Sequence, residues 1–245
     1  MQGKRARVMR KYADLHLCPP LADAANARSM AEVLNQLGTA AVGLVVPPDQ
    51  LTPAPAAMNS LKDSGLDVAK RLNLKPRSRE ELLRSLRRFR IKYEIVAVDC
   101  IVQSVSRVAV RDRRVDIVHF PKQGPGSSFR RNLASTCRAA LEFNISELTQ
   151  GSGGEARLGR QRRELETAAE ASTRVIGSTN ASNPFELRAP RDVAAILHML
   201  GLSPQAALAG VSEIPLAIVR ENRLRAEQPQ LEEGVRIVRR STHDE

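Results

Sequence analysis

The stretch YEIVAVDCIVQSVSRVAVRDRRVDIVHF, residues 93 to 120, decides the fold of this chain. It begins with the apolar run YEIVAVD (93 to 99) and ends with a second one, VDIVHF (115 to 120). Short apolar runs of this length predict strands, and the segment from 103 to 111 between them predicts a helix. The stretch therefore predicts one unit of strand, helix and strand, as in a parallel sheet.

The same alternation continues on both sides of this stretch. Further strands are predicted at 12 to 17, 41 to 46, 68 to 74, 141 to 145 and 174 to 178. Further helices are predicted around Met30, after the capping residue Ser78, at 128 to 139, from Glu155 and from Pro190 to Gly201. The proline-rich and alanine-rich segment from Pro47 to Ala57 predicts a loop.

This number of repeats decides between two α/β architectures. Seven or eight mostly parallel strands that alternate with helices favour a closed, TIM-like (β/α) barrel over an open, doubly wound sheet. A chain of 245 residues is long enough for one such domain. We expect a basic tail at 1 to 11, a single barrel domain at 12 to 222 and a charged tail at 223 to 245.

Several function classes lack their sequence signals. The segment CPPLADAANA after the first strand contains neither a GxGxxG fingerprint nor a P-loop, and GSGG at 151 to 154 is interpreted as a connector. The chain has no apolar run of the roughly 20 residues needed to cross a bilayer, and no secretory signal. We therefore expect a cytoplasmic protein without a membrane partner. The three widely separated cysteines, Cys18, Cys100 and Cys137, fit reduced intracellular thiols.

Charge gives the first indication of function. The net charge is +11, and 31 Arg account for most of the 38 basic residues. Such a surface attracts polyanions, and arginine binds phosphate through two parallel N–H groups. Between Lys75 and Arg131, 15 Lys or Arg face 6 Asp or Glu. Because only seven Phe or Tyr and no Trp are present, recognition of RNA backbone and shape is favoured over base stacking.

Five blocks of sequence carry a resemblance to a known family. The longest block is VIGSTNASNPFELRAPRDVAAILHMLGL, residues 175 to 202. The others are YADLH (12 to 16), RSREELLRSLRRFRIKYEIVAV (77 to 98), RDRRVDIVHFP (111 to 121) and LEFNIS (141 to 146). In these blocks the chain resembles the ribonuclease P protein subunit family that includes archaeal protein component 3 and the eukaryotic thirty-kilodalton subunit. The resemblance covers about residues 12 to 222.

The resemblance implies a TIM-like barrel that binds the catalytic RNA of ribonuclease P. Its partners would be ribonuclease P RNA, protein component 2 in a heterodimer or heterotetramer, and indirectly precursor tRNA, from which the enzyme removes the 5′ leader. RNA would perform the chemistry, so the chain itself would have no catalytic residue and no cofactor, with Mg²⁺ expected only at the catalytic RNA.

Basic residues of the matching blocks are the candidate RNA contacts. Carried onto this sequence they are Arg107, Arg111, Arg113, Arg114, Lys122 and Arg188. Two of them have a competing role, since Arg113 could pair with Asp116 and Arg188 with Asp192 in structural ion pairs. A solvated helix face is the competing interpretation of the charge runs as a whole.

An enzyme is the alternative of another class. The family's barrel resembles metal-dependent phosphoesterases of the polymerase and histidinol phosphatase type, which hold metals through a histidine-rich set that begins with His-x-His. This chain has Asp14-Leu15-His16 at that place and only four histidines in total. Polar residues that could meet at strand ends are Asp14, His16, Asp99, His119 and Glu142. We predict that they form hydrogen bonds and no metal site.

A purely architectural protein is the third hypothesis. It would bind its partners through hydrophobic contacts and have no RNA affinity alone. The apolar segment from Ile214 to Val219 leaves this open, because it could belong to the core, to a last helix or to an interface. Nucleophilic catalysis has less support, since no GxSxG is present and Cys18 is the one cysteine close in sequence to a histidine, His16.

Overall fold

Seven parallel strands form one sheet in which each strand pairs with the next one along the chain. They are β1 (Tyr12–Leu17), β2 (Thr39–Val45), β3 (Asp67–Leu74), β4 (Ile95–Asp99), β5 (Ile117–His119), β6 (Ala140–Asn144) and β7 (Val175–Ser178). The structure is a computed structural model and describes residues 10–121, 128–149, 154–227, 230–232 and 235–236. The edges of the sheet meet where Leu17 pairs with Ala181. The predicted TIM-like barrel is therefore confirmed, with seven strands.

Helices follow the strands on the outside of the barrel. They are α1 (Ala24–Gln36), α2 (Ala56–Asp63), α3 (Arg79–Phe89), α4 (Gln103–Ala109), α5 (Arg131–Ala134), α6 (Ser146–Thr149), α7 (Gly154–Glu170), α8 (Pro190–Met199), α9 (Pro204–Ala209) and α10 (Glu213–Glu227). Three short 3-10 helices span Pro48–Gln50, Arg90–Lys92 and Pro184–Glu186. A two-stranded antiparallel pair follows, β8 (Gln230–Glu232) and β9 (Val235–Arg236).

The predicted helix ends have the expected caps. The Ser78 side chain accepts a hydrogen bond from the backbone N–H of Glu81, three residues later, at the start of α3. Pro190 is the first residue of α8, and Gly201 follows this helix with φ at +116°. A left-handed backbone favours glycine there, so the chain turns away from the helix.

Three segments differ from the sequence-based expectation. The helix expected at 128 to 139 has four residues, α5, because the backbone N–H of Arg138 already bonds Val110 O at 2.7 Å before β6 begins. Helix α2 starts at Ala56, inside the segment predicted as a loop, directly after Pro55. GSGG lies mostly outside the described residues, and its last glycine begins α7.

The barrel interior is filled by small and branched side chains. One buried cluster joins Leu15, Ile95, Ile117 and Ile176 with the alanines of five strands (Ala13, Ala41, Ala69, Ala97 and Ala140). Because narrow barrels leave little room inside, alternating alanine and larger residues fit the taper. Ile218 and Val219 of α10 complete this cluster and are 2% and 3% exposed.

Helix α10 covers the amino-terminal opening of the barrel. Asn222 donates a hydrogen bond to Glu94 O, just ahead of β4, and Arg223 pairs with Asp67 at the start of β3. The apolar segment from Ile214 to Val219 is thus part of the last long helix and of the core. Since α10 continues to Glu227, the helix crosses the domain boundary expected at residue 222. No helix of the described ranges is long and apolar enough to span a membrane.

Candidate functional site

An arginine occupies the centre of the carboxyl-terminal end of the barrel, where TIM-barrel enzymes hold their active sites. Arg71 of β3 is 1% exposed, and its two Nη atoms each lie 2.6 Å from an oxygen of Glu142 on β6. Two further donors reach Leu15 O at 2.9 Å and Asn73 Oδ1 at 2.6 Å. Four of the five guanidinium N–H groups therefore have acceptors within the protein.

Two strands are shaped around this arginine. In β1 the pairing with β2 is irregular between Asp14 and Leu17, where Leu15 and His16 face the single residue Gly43. The irregularity directs Leu15 O toward Arg71, and the same oxygen would lie 2.2 Å from a Cβ atom at position 43. Only glycine fits such a close backbone approach, and Gly43 is present there.

Glu142 remains ionised in this environment. Burial opposes its charge, but the Arg71 guanidinium holds the pKa of Glu142 well below its usual range. The Ser178 hydroxyl also donates to Glu142 Oε1 at 2.9 Å. The carboxylate thus receives three hydrogen bonds, two of them from one arginine.

His16 and Asp14 lie beside the Arg71–Glu142 ion pair, and burial shifts the pKa of each. His16 Nε2 lies 3.0 Å from Asn73 Nδ2, and Nδ1 lies 3.3 Å from Glu142 Oε2 without hydrogen-bond geometry. Burial, followed by the charge of Arg71, lowers the pKa of His16, so this ring is neutral. Burial raises the pKa of Asp14 to about 6, although the backbone N–H and hydroxyl of Thr179 donate to it.

His119 forms a second, separate cluster at the same end of the barrel. Its Nδ1 lies 2.9 Å from Asp99 Oδ1 and its Nε2 lies 2.8 Å from Glu147 Oε1. Burial disfavours charge on the ring, but the hydrogen bonds to both carboxylates outweigh it and raise the pKa of His119 to about 10. The residue is an imidazolium that joins β5 to α6. Glu147 has no sequence pattern that marks it as a partner of His119.

These contacts do not suit a metal. The five polar residues considered from the sequence form two clusters, and a guanidinium lies on Glu142 where a ligand set would need space for a cation. Within the described ranges, no group of three or more His, Cys, Asp or Glu has the arrangement to hold a metal ion. We therefore derive no metal-dependent step at this end of the barrel.

The outer surface carries the candidate nucleic-acid contacts. Arg84, Arg87 and Arg88 of α3 and Arg107 of α4 with Arg111 after it are exposed, and α3 packs against α4. We call these five residues the arginine face. Arg107 has no hydrogen bond or ion pair within the described part of the chain, and Arg111 contacts Thr136 Oγ1 at 3.1 Å. Their charges are available to a polyanion.

The other predicted contacts lie in different places. Arg113 is exposed and lies in a cleft at the amino-terminal end of the barrel. Arg114 is half-buried and donates two hydrogen bonds to Asp112, from Nε to Oδ1 at 2.9 Å and from Nη2 to Oδ2 at 2.7 Å. Lys122 lies outside the described residues. Of the five predicted residues that the structure describes, Arg107, Arg111, Arg113 and Arg114 lie on α4 and in the turn after it, whereas Arg188 lies beyond β7.

The structure describes the contacts of Arg188 and of Asp116. Arg188 is exposed and donates to Phe185 O and Leu187 O, and in the described ranges it has no ion pair with Asp192. Asp116 is paired with Arg90, 3.2 Å away, a contact that was not predicted from the sequence. Asp116 also accepts the backbone N–H of Val96, which holds this carboxylate between β4 and β5.

Comparison with known proteins identifies the family. The family model described as RNase P subunit p30 matches residues 11–227. Ribonuclease P protein component 3 of Methanococcoides burtonii is 28% identical over 202 residues, which cover 80% of this chain and 82% of that protein.

Solved structures share the fold. A chain in the cryo-EM structure of archaeal ribonuclease P with mature tRNA matches with a TM-score of 0.76 and 23% identity, covering 93% of this chain and 98% of that one. An amidohydrolase matches with a TM-score of 0.55 and 11% identity, covering 90% and 78%. The second likeness concerns the barrel alone. The match of the family model over almost the whole described barrel shows that this chain belongs to the RNase P subunit p30 family.

Proposed function

We propose that this chain is a non-catalytic subunit of ribonuclease P that binds the catalytic RNA through arginine contacts to its backbone. In this role it supports removal of the 5′ leader from precursor tRNA by the holoenzyme. The observation that carries the proposal is the arginine face, where guanidinium groups of α3 and of α4 with its exit turn project from neighbouring positions on a protein with a net charge of +11.

Backbone recognition fits the side chains of this surface. Arginine forks bind phosphate oxygens in pairs, and several such contacts release counterions and make affinity depend on salt. Few aromatic residues are present for base stacking, since the chain has two Tyr, five Phe and no Trp. The relatives that the chain matches over most of its length are named as components of ribonuclease P, which supports RNA as the polyanion.

The non-catalytic part of the proposal rests on Arg71. A buried arginine that donates twice to Glu142 places a fixed positive charge where related barrels hold reactive groups. We propose that the chain needs no cofactor of its own and that Mg²⁺ acts at the catalytic RNA. The proposed partners are ribonuclease P RNA and protein component 2, in a heterodimer or heterotetramer, with precursor tRNA as an indirect partner, no membrane partner and a cytoplasmic location.

Salt and chelator dependence tests the proposal on the full chain. We expect affinity for ribonuclease P RNA to fall steeply as salt rises and to be unaffected by EDTA. We expect no hydrolysis of a phosphate ester by the chain alone, with or without divalent metal ions. EDTA-sensitive hydrolysis by the isolated chain would instead identify a phosphoesterase, and the absence of any RNA affinity would identify an architectural role.

A further inference from the structure

A cleft of about 530 Å³ opens at the amino-terminal end of the barrel, opposite to the Arg71–Glu142 pair. Four arginines line it: Arg113, Arg138, Arg174 and Arg225. Its acidic residues are Asp116 and Glu221. We call this feature the arginine cleft. The volume is in the range of pockets that hold small ligands.

The topology of the barrel brings these arginines together. Arg113 precedes β5, Arg138 precedes β6 and Arg174 precedes β7, and these strands are neighbours in the sheet. Neighbouring parallel strands begin at the same edge of a sheet, about 4.8 Å apart. The loops that lead into β5, β6 and β7 therefore each bring one arginine to the amino-terminal end of the barrel. Arg225 comes from α10, which covers this end of the barrel.

The positive charges in the cleft exceed the negative ones. Asp116 is already paired with Arg90, which is not among the residues lining the cleft. Arg174 lies 3.7 Å from Glu221, with both side chains about 40% exposed, and such a pair gains little from its contact. This leaves Arg138 and Arg225 without a salt bridge among the described residues, although the charge of Arg225 acts on the nearby Asp116 carboxylate.

Arg138 and Arg225 point to a ligand because their donors are unused. Arg138 is exposed, and its side chain makes no hydrogen bond or ion pair within the described ranges. Arg225 is exposed and donates only from Nη1 to Asn222 Oδ1, at 3.2 Å. Guanidinium groups held near each other with open donors favour an anion that offers several oxygens.

We propose that the arginine cleft binds phosphate groups of an RNA backbone. The inference rests on the proposed function and adds a second contact region to the arginine face. The two regions are continuous, since Arg111 of the face and Arg113 of the cleft lie two residues apart in the turn after α4. This continuity, together with the net charge of the chain, favours RNA over an acidic protein segment as the occupant.

Arginine-to-alanine variants of the full chain test the cleft. Arg138→Ala and Arg225→Ala are the test variants because neither side chain holds the fold together. The matched control is Arg28→Ala, which removes an exposed arginine of α1 that is not among the residues lining the cleft. Binding is measured over a range of salt, separately with ribonuclease P RNA and with precursor tRNA, because either could supply the phosphates.

The expected result is a loss of affinity for at least one of these RNAs of about threefold to tenfold per variant, with a salt slope lower by about one. Arg28→Ala should leave affinity and slope unchanged, and all unfolding midpoints should match that of the wild type. If the wild type binds RNA and both test variants keep its affinity and salt slope, the proposal that the cleft binds RNA phosphates is overturned. Loss of cleavage support with unchanged RNA binding would indicate a protein occupant and overturn it too.

The behaviour of the wild-type chain tests the proposed function itself. If the wild-type chain binds neither RNA at low salt, the proposed function fails before the cleft is tested. The two failures are therefore distinguishable, because one concerns the variants and the other the wild type.

Discussion

Arg71 and Glu142 form a buried bidentate ion pair across the barrel, with both N–O distances at 2.6 Å. The pair links β3 to β6, which are separated by two strands in the sheet. Neither side chain is exposed by more than 1%. Because each charge is compensated only by the other and by nearby hydrogen bonds, the pair joins the two sides of the barrel and fixes the polar network around it.

Removal of one partner should destabilise the protein strongly. Arg71→Met leaves the Glu142 carboxylate buried without its counterion, and we expect a loss of about 3 to 5 kcal/mol in the free energy of unfolding. The double variant Arg71→Met with Glu142→Leu should lose less than the sum of the single losses. Urea unfolding of the full set gives the coupling. Additive losses would show that the two groups do not interact.

His119 should make stability depend on alkaline pH. Its pKa is raised from 6.5 to about 10 in the folded chain, so the folded state binds the proton more tightly than the unfolded one. The stabilisation that protonated His119 gives to the folded state is fully present below about pH 6.5 and is lost as pH rises through about 10.

Histidine variants isolate this effect. The difference in unfolding free energy between wild type and His119→Gln should shrink by about 5 kcal/mol across this interval, at about 1.4 kcal/mol per pKa unit. His198→Gln is the control, since His198 contacts a backbone carbonyl, Leu202 O. An NMR titration in which the His119 ring loses its proton below pH 7 would contradict the assignment of an imidazolium.

Arginines of the face should contribute to RNA binding through charge. Arg107→Ala and Arg111→Ala should each weaken binding to ribonuclease P RNA and lower the salt slope by about one, with little change in stability, because both side chains are exposed. Salt titrations of binding measure this. If both variants keep the wild-type slope, these two residues are not part of the RNA interface.

Gly43 should be required for the irregular pairing of β1 with β2 between Asp14 and Leu17. An alanine Cβ at this position would meet Leu15 O at 2.2 Å and Leu15 C at 2.7 Å, both backbone atoms. We expect Gly43→Ala to cost at least about 2 kcal/mol, because the backbone must shift and Leu15 O also binds Arg71.

A second glycine provides the comparison for this substitution. Gly65→Ala places its Cβ where no atom lies within 4 Å, at a φ of +85°. It should cost only the strain of a left-handed residue, about 1 kcal/mol. Thermal unfolding compares the two variants, and equal losses would show that the contact with Leu15 is not the cause.

The strands were predictable from the sequence because they are buried on both faces. Runs such as YEIVAVD and VDIVHF are apolar almost throughout, and all seven predicted strands are present within a few residues of their expected ends. Helix α9 was not predicted, and a last helix around Ile214 to Val219 was one of three open interpretations. The buried positions of α10, Pro215, Ile218, Val219 and Asn222, have helical spacing, but a proline and an asparagine among them interrupt the apolar pattern in the sequence.

The polar cluster was predictable only in part. Asp14, His16 and Glu142 were expected near each other because they follow or end parallel strands. Arg71 was not identified, since DVAKRLNL mixes charged and apolar residues without a clear period, and burial of an arginine depends on a partner 71 positions away. The irregular pairing in β1 that directs Leu15 O inward also has no sequence pattern of its own.

The most direct test of the central claim is reconstituted cleavage of precursor tRNA. Ribonuclease P RNA and protein component 2 are combined with wild-type chain, with Arg107→Ala/Arg111→Ala, or with no chain, and the rate of 5′ leader removal is measured. We predict that the wild-type chain raises the rate, that the double variant raises it less at physiological salt, and that the chain without RNA cleaves nothing. An unchanged rate when the chain is omitted, or cleavage by the chain alone, would contradict the account.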